Sequence, residues 1–226
     1  MPSHSYDVLV RLRPEVPASM LQRAANWTTD SVPAVPAPAA SVILLRDHID
    51  GVQTYLLHRH ARMPFAASMV VFPGGLLDPA DAEGGPDRLR RCAVRETAEE
   101  TGVRLAAADL FPWARWITPE IEPRRYDTWF YLAVMSADQE AIDISGETDL
   151  AEWSTPQQAL TAEHSGLIKM LPPTMSILIE LADLVTVAEV INHATDRQIE
   201  PVLPQLVEAE SGWQFRYPQP DPRETS

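Results

Sequence analysis

The sequence predicts a mixed α/β fold in which a mixed β-sheet lies between helices. Segments rich in apolar and β-branched residues alternate irregularly with helical segments along the 226 residues of the chain. An irregular alternation of this kind is typical of a mixed sheet covered by helices. Hydrophobic residues make up 45% of the chain, which is normal for a globular protein, so a sizeable core can form.

The first 37 residues are predicted to form an N-terminal extension that ends in a linker. The loose alternation of residues 6–12 predicts an edge strand, and residues 18–26 favour a short helix. Residues 32–39 have the sequence VPAVPAPA, and a Pro/Ala-rich stretch is typical of an extended linker.

The strands of the sheet are predicted from short apolar runs that lie between turn residues. Residues 40–46 and 54–59 flank a turn-like segment, so they predict a hairpin. Residues 126–135, YDTWFYLAVM, give the strongest strand signal in the chain. Further strands are predicted at residues 68–72, around residue 105, at 111–117 and at 147–153.

Helices are predicted at residues 87–101 and 155–163, the second of them capped by Thr155. The C-terminal region is predicted to contain helices at 173–183 and 187–193, followed by strand-like segments at 205–208 and 213–217. Apolar side chains of this region fit either the core or an interface with a second copy of the chain, and the core is favoured. These side chains are Ile177, Leu178 and Leu181.

The helix predicted over residues 87–101 carries the residues that point to chemistry. Glu96, Glu99 and Glu100 share one face, because residues three and four apart on a helix are neighbours. Three like charges so placed repel each other unless a cation neutralises them. Mg²⁺ or Mn²⁺ suits this role, since hard divalent cations prefer carboxylate oxygens. Arg95 lies four residues before Glu99 and can hold its carboxylate in position.

The opposite face of the same helix is predicted to pack on the core. Leu89, Ala93 and Thr97 follow each other at steps of four residues and would face away from the carboxylates. Gly102 suits the end of the helix. Cys92 is interpreted as a small packed residue rather than a reactive thiol, because a free cysteine usually packs as a small hydrophobe.

Residues 74–103 resemble the Nudix box, G-x5-E-x7-R-E-U-x-E-E-x-G-U, in which U is an aliphatic residue. Gly75 and most of residues 95–103 match, although Thr97 stands where an aliphatic residue is usual. Asp87 stands eight residues before Arg95, where the first Glu is expected. The segment from Gly75 to Asp87 is longer than the pattern allows, which indicates an insertion over residues 76–86.

The resemblance implies the Nudix α/β/α sandwich over residues 38–165, with residues 166–226 as a helical extension packed on it. It also implies the reaction of the family, which is metal-dependent hydrolysis of a phosphoanhydride bond in a nucleoside diphosphate linked to another moiety. The expected partner is therefore a small nucleoside diphosphate derivative, and the expected cofactor is Mg²⁺ or Mn²⁺.

The family roles carry over to this chain by position. They imply that the metal ligands are Glu96, Glu99, Glu100 and the Gly74 carbonyl, and that Arg95 orients Glu99. The general base is left open between two classes of residue. It is either a glutamate of the box, of which Glu99 is the candidate, or a glutamate of a later loop. Glu147 is the best later candidate, and Glu120 and Glu122 compete with it.

The substrate is narrowed by a resemblance to one branch of the family, the branch that includes the peroxisomal acyl-CoA diphosphatase. Residues 65–81, 116–130 and 171–174 carry this resemblance, and CoA or acyl-CoA is the substrate that it implies. Arginines suit bidentate phosphate contacts, so we expect phosphate-binding residues among Arg59, Arg62, Arg124 and Arg125. Pro119 keeps ADP-ribose or NADH as an alternative substrate. Two other functions stay open, namely an enzyme for oxidised nucleoside triphosphates and a non-catalytic metabolite sensor.

Composition excludes several partners. The formal net charge of −14 argues against nucleic acid or an anionic membrane, because both require a basic patch. The N-terminus lacks the apolar region of a signal peptide, and no apolar run reaches the length of a membrane span. We therefore expect a soluble, cytoplasmic protein, with a homodimer left open. Cys92 is the single cysteine, so no intrachain disulfide can form.

Overall fold

The computed structural model of the chain describes residues 6–9, 11–12, 16–28, 30–63, 66–82, 87–210 and 212–217. These residues form a central sheet with helices on both faces. The strands are β1 Ala37–His48, β2 Gly51–Arg59, β3 Val70–Val71, β4 Gly74–Leu76, β5 Phe111–Ile117, β6 Tyr126–Val134, β7 Thr148–Ser154, β8 Pro201–Val202, β9 Gln205–Ala209 and β10 Gly212–Arg216.

The described helices are α1 Tyr6–Leu9, α2 Ala18–Ala24, α3 Pro79–Ala82, α4 Arg88–Thr101, α5 Pro156–His164, α6 Pro172–Leu181 and α7 Val187–Thr195, with a 3₁₀ turn at Ala107–Asp109. None of them is long and apolar enough to cross a membrane.

The sheet is mixed, as the sequence predicts. Its strands run in the order β3-β2-β1-β6-β5-β8, while β4 pairs with β1 and β7 pairs with β2. The pairs β1–β6 and β5–β8 are parallel, and β1–β2, β1–β4, β2–β7 and β5–β6 are antiparallel. Strands β9 and β10 form a separate antiparallel hairpin.

The alternation of side chains along β1 divides the core into two layers. Val42 and Leu44 belong to the apolar cluster that contains residues of α4, and Ile43 and Leu45 belong to the cluster on the opposite face. Successive strand residues point to opposite faces of the sheet. Because all four of these residues are apolar, both faces of the sheet at β1 must be covered by other elements. The fold is therefore an α/β/α sandwich.

The opposite layer is built largely from the C-terminal helices. Ile177, Leu178 and Leu181 of α6 are fully buried, so they are core residues and do not form an exposed interface. Arg197 fixes this region to the sheet, because its Nη2 donates to both carboxylate oxygens of Glu180 at 2.8 Å and its Nε donates to the Trp113 carbonyl at 2.7 Å.

Several predicted elements differ from the structure. The strand predicted at 6–12 is wrong, since residues 6–9 form helix α1. Val8 and Leu9 of this helix, and Leu12 after it, belong to the core. The strand predicted around Leu105 is also wrong, because residues 103–106 have no regular structure and a 3₁₀ turn follows.

Two other predicted segments are shorter in the structure. The strand predicted at 68–72 is reduced to Val70–Val71, because Ser68 has a φ of 58° and Met69 N–H donates to the Ala66 carbonyl in a turn. The predicted linker is also shorter, since β1 already begins at Ala37. The cap at Thr155 is confirmed, and its side chain forms a capping box with Gln158.

Candidate active site

Arg95 is the centre of a network of carboxylates on α4. Its Nη1 donates to Glu96 Oε1 at 2.9 Å and to Glu99 Oε2 at 3.0 Å. The other side of the same guanidinium is held by Asp81, whose two oxygens lie 3.1 Å from Nε and 2.8 Å from Nη2. Nη2 also donates to the Leu76 carbonyl at 3.0 Å. Arg95 therefore places two glutamates of the helix on one side of a guanidinium that Asp81 fixes on the other.

Asp81 belongs to the short helix α3, and it is well buried. Its carboxylate accepts the Asp78 N–H at 2.9 Å, and its carbonyl accepts from Arg91 Nε at 2.9 Å. The hydrogen bonds from Arg95 lower the pKa of Asp81 below its ordinary value, and the two oxygens of Asp81 are in turn the main cause of a raised pKa of Arg95. The pair is therefore charged throughout the physiological pH range.

Glu100 lies one turn after Glu96 on α4, and its carboxylate is held by the first residue of β4. Its Oε2 accepts the Gly74 N–H at 2.8 Å. The Glu100 side chain is 8% exposed, whereas the Glu99 side chain is 59% exposed. Burial raises the pKa of Glu100 to about 7, although the Gly74 hydrogen bond lowers it. Burial likewise raises the pKa of Glu96.

The two glycines before α4 leave room for these carboxylates. A Cβ on Gly75 would lie 2.4 Å from Glu96 Cδ and Oε1, so the Glu96 carboxylate rests directly on the backbone of this residue. A Cβ on Gly74 would lie 2.5 Å from the Ala40 carbonyl oxygen and 2.6 Å from Ser41 Cα. Gly74 is thus required by the pairing of β4 with β1, and Gly75 is required by the site.

Glu147 reaches the same site from the segment that precedes β7. Its Oε2 lies 3.3 Å from Arg59 Nη2, and Arg59 Nη1 lies 3.9 Å from Glu100 Oε1. The segment is anchored to the end of α4, because Ile142 and Ile144 donate their N–H groups to the carbonyls of Thr101 and Glu100. The structure thereby brings the later glutamate to the carboxylates of the helix.

The other predicted site residues lie in different surroundings. Arg62 is exposed in the turn after β2. Arg125 is 8% exposed, and it donates to the Thr118 carbonyl at 3.0 Å and to the Ala34 carbonyl at 2.7 Å, which ties the N-terminal segment to the start of β6. Glu122 forms an ion pair with Arg23. The phosphate-binding role of Arg62 and Arg125 stays a prediction.

The donors of the site suit a hard divalent cation, although they do not form a closed ligand set. Within the part of the chain that the structure describes, no three His, Cys, Asp or Glu side chains converge on one point. Glu96 and Glu99 point to Arg95, and Glu100 points to Gly74 N–H. Burial nevertheless raises the pKa of Glu96 and Glu100. A cation bound beside these two carboxylates would offset the cost of burying their charges.

A model of the NUDIX domain family matches residues 35–173, which is more than half of the chain. The chain belongs to the Nudix family. A Caenorhabditis elegans protein provisionally named nudix hydrolase 7 is 29% identical over 182 residues, which cover 65% of this chain and 60% of that protein. An acyl-coenzyme A diphosphatase of Xenopus laevis is 28% identical over 107 residues, which cover 44% of this chain and 28% of that protein. The chain thus spans 60% or less of the length of these two relatives.

Solved structures of Nudix proteins have the same fold. The NUDIX hydrolase of Alicyclobacillus acidocaldarius superimposes with a TM-score of 0.63 at 26% identity, over 70% of this chain and 96% of that chain. The NUDIX domain of Shewanella oneidensis NrtR, solved with ADP ribose, superimposes with a TM-score of 0.51 at 16% identity, over 74% of this chain and 98% of that chain.

The structure corrects the alignment of this chain with the first half of the Nudix box. The sequence pattern placed Asp87 at the position of the first glutamate, but Asp81 is the carboxylate that holds Arg95. Asp81 lies six residues after Gly75, which is the spacing that G-x5-E requires. With Asp81 at the position of the first glutamate, the extra residues lie between Asp81 and Arg95 and not between Gly75 and Asp81. Counting forward from the glycine, and accepting Asp in place of Glu, would have found this residue.

The structure confirms that Cys92 is a packed residue. It is fully buried on the inner side of α4, and burial raises the pKa of its thiol to about 12, with the charges of Asp81 and Glu96 adding to the effect. Ala93 and Thr97 are also fully buried, which confirms the predicted core face of the helix.

Proposed function

We propose that this Nudix protein hydrolyses a phosphoanhydride bond in a nucleoside diphosphate linked to another moiety, with CoA or acyl-CoA as its substrate class. One observation carries the reaction. Arg95 holds Glu96 and Glu99, and the Gly74 N–H of β4 holds Glu100, so that the three carboxylates lie in the second half of one helix. Membership of the family supplies the class of reaction, and the arrangement provides the oxygen donors that this reaction needs.

In this proposal, Glu96, Glu99, Glu100 and the Gly74 carbonyl hold Mg²⁺ or Mn²⁺. When bound, the ion supplies a water of lowered pKa and neutralises phosphate oxygens. Arg95 and Asp81 position Glu96 and Glu99, and the partners that orient ligands are commonly worth about 10–100-fold in affinity or activity. Gly75 has no side chain, and this leaves room for the Glu96 carboxylate.

A carboxylate must also accept the proton of the attacking water. Glu99 is the candidate on the helix, because its side chain is exposed and reaches solvent. Glu147 is the second candidate, because Arg59 holds it beside Glu100. Glu99 is also a proposed metal ligand, so Glu147→Gln is the variant that discriminates between them. A large loss of kcat at saturating Mg²⁺ would assign the base to Glu147, and a small loss would assign it to Glu99.

The CoA assignment is supported by the similarity to the acyl-coenzyme A diphosphatase of Xenopus laevis. An open groove of about 620 Å³ beside the Glu147 segment fits an uncharged arm of such a substrate. Ile142 and Leu150 line the groove with about half of each side chain exposed. Asp143, Asp149, Glu152 and a single arginine, Arg46, also line it, and this acidic balance disfavours a phosphate there.

A substrate panel tests the proposal. CoA, acyl-CoA, ADP-ribose, NADH and nucleoside triphosphates are each incubated with Mg²⁺ or Mn²⁺, and the products are identified by mass. The proposal predicts that CoA compounds dominate and yield a phosphopantetheine product. Dominant turnover of ADP-ribose or NADH would reassign the substrate, and tight binding without turnover of any compound would make the chain a sensor.

A further inference from the structure

Arg59 stands at an irregularity of the sheet that aims its side chain at the site. The pairing of β2 with β7 shifts its register between His58 and Arg59. A bulge of this kind redirects a side chain and is common beside active sites. The backbone of Arg59 is held by the neighbouring segment of residues 68–69, because its N–H donates to the Met69 carbonyl and its carbonyl accepts the Ser68 N–H.

The guanidinium of Arg59 lies between two carboxylates that come from different parts of the chain. Nη2 is 3.3 Å from Glu147 Oε2, and Nη1 is 3.9 Å from Glu100 Oε1. The Arg59 side chain is only 14% exposed, and its buried Nε has no hydrogen-bond partner among the described residues. A buried donor without a partner is costly, so among the described residues it is the two carboxylates that account for the position of this cation.

Arg59 differs in this respect from Arg95, the other cation of the site. Arg95 is fixed by Asp81, so it can stay in place whatever binds to Glu96 and Glu99. The described contacts of the Arg59 guanidinium are Glu100 and Glu147 alone. A divalent cation that takes the Glu100 carboxylate therefore removes one of the two groups that hold Arg59.

We propose that Arg59 is an internal counter-cation that competes with the divalent metal ion for Glu100. The guanidinium neutralises Glu100 and Glu147 before the ion binds, and it withdraws from Glu100 when the ion arrives. This inference rests on the proposed function, which makes Glu100 a metal ligand. The withdrawn guanidinium keeps its free donors, which suit the phosphate oxygens of a substrate.

Mn²⁺ binding to the full chain, measured by the electron paramagnetic resonance of free Mn²⁺ without substrate, tests the competition. Arg59→Gln is compared with the wild type and with Arg104→Gln, which removes the same charge from an exposed position just after α4. The titrations use roughly 0.3 M salt, at which long-range charge effects are screened. We expect Arg59→Gln to bind Mn²⁺ about fivefold more tightly, because an ion pair of this kind is worth up to about 1 kcal/mol, and Arg104→Gln to match the wild type.

Equal or weaker Mn²⁺ binding by Arg59→Gln would overturn the competition while leaving the metal site intact. Absence of Mn²⁺ binding by the wild type would instead overturn the metal site of the proposed function, and the competition with it. A second measurement does not depend on the folding of a variant. In the wild type, saturating Mg²⁺ should shift the NMR signal of Arg59 Nε–H and speed its exchange with water, and an unchanged signal would contradict the proposal.

Discussion

At the scale of single residues, Asp81 is the side chain on which the geometry of the site depends most. It holds Nε and Nη2 of Arg95, and Arg95 Nη1 holds Glu96 and Glu99. Asp can stand in place of Glu at this position because helix α3 brings the Asp81 backbone close to Arg95, so the shorter side chain still reaches the guanidinium.

Asp81→Asn should weaken both stability and activity. The free energy of unfolding should fall by about 1–3 kcal/mol, less than the 3–5 kcal/mol typical of a broken buried pair, because Arg95 is partly exposed. The value of kcat should fall roughly 10–100-fold, because Glu96 and Glu99 lose the support of a fixed arginine. Urea denaturation and steady-state kinetics measure the two effects, with the exposed Asp109→Asn as control. A variant with wild-type kcat would show that Asp81 does not position the site.

Cys92 should be unreactive in the folded protein. Its thiol pKa is raised from the ordinary value of 9.0 to about 12, so the folded state holds the proton that the unfolded state loses. The protonated thiol of Cys92 therefore contributes to stability below the pKa of the unfolded state, and this contribution is lost as the pH rises from about 9 towards 12. At about pH 8, a thiol reagent should label Cys92 only after unfolding in guanidinium chloride. Rapid labelling of the folded chain would contradict the burial of this residue.

At the scale of elements, strand β4 separates the requirements of the fold from those of the site. Gly74→Ala places a methyl group against the backbone of Ala40 and Ser41, which cannot move without breaking the β1–β4 pairing. Gly75→Ala places it against the flexible end of Glu96, which can rotate away.

The two glycine variants should therefore fail in different ways. Gly74→Ala should lower the free energy of unfolding by about 1–3 kcal/mol. Gly75→Ala should stay within about 1 kcal/mol of the wild type but lose about tenfold in Mn²⁺ affinity, because it displaces a proposed ligand. Thermal denaturation and Mn²⁺ titration of the same two proteins provide the comparison. Equal metal affinity of Gly75→Ala and the wild type would remove Glu96 from the ligand set.

The elements show which parts of this structure the sequence could predict. Strands β1, β2, β5 and β6 and helix α4 follow from strong local patterns, and tertiary packing agrees with them. The strands predicted around Leu105 and over residues 6–12 are wrong, because burial of Leu105, and of Val8, Leu9 and Leu12, against other elements outweighs a weak local preference for strand. The approach of Glu147 to Glu100 depends on a bulge in β2 and on contacts of the 142–144 backbone, which leave no pattern in the sequence.

At the scale of the whole molecule, the C-terminal helices complete the core of the Nudix fold. Ile177, Leu178 and Leu181 share one apolar cluster with Ile43 and Leu45 of the central strand. Residues on both sides of the division predicted at residue 165 therefore share one core. Whether residues 38–165 form a unit by themselves stays a prediction.

A chain that ends after Ser165 should not unfold cooperatively, because one face of the sheet would lose its cover. A chain that ends after Tyr217 keeps every described residue and should retain the unfolding midpoint of the full chain. Circular dichroism during urea denaturation compares the two. A cooperative transition of the shorter chain near that of the full chain would mean that residues 166–217 are dispensable for the core.

The groove beside the Glu147 segment should determine how acyl chains are accepted. Leu150→Asn removes an exposed apolar side chain from it, so kcat/KM for acyl-CoA should fall about tenfold while that for CoA is kept. Leu167→Asn, an exposed leucine outside the lining of the groove, is the matched control. An equal decrease for CoA and acyl-CoA would show that the groove does not bind the acyl chain.

The central claim is that the carboxylates of α4 carry out metal-dependent hydrolysis of a diphosphate. Its most direct test is the turnover of CoA by Glu99→Gln at saturating Mg²⁺, beside Glu140→Gln as an exposed control with the same change of charge. We expect Glu99→Gln to keep the wild-type unfolding curve and to lose roughly 100-fold or more in kcat, with Glu140→Gln unchanged. A Glu99→Gln protein that retains most of its Mg²⁺-dependent turnover would contradict the claim.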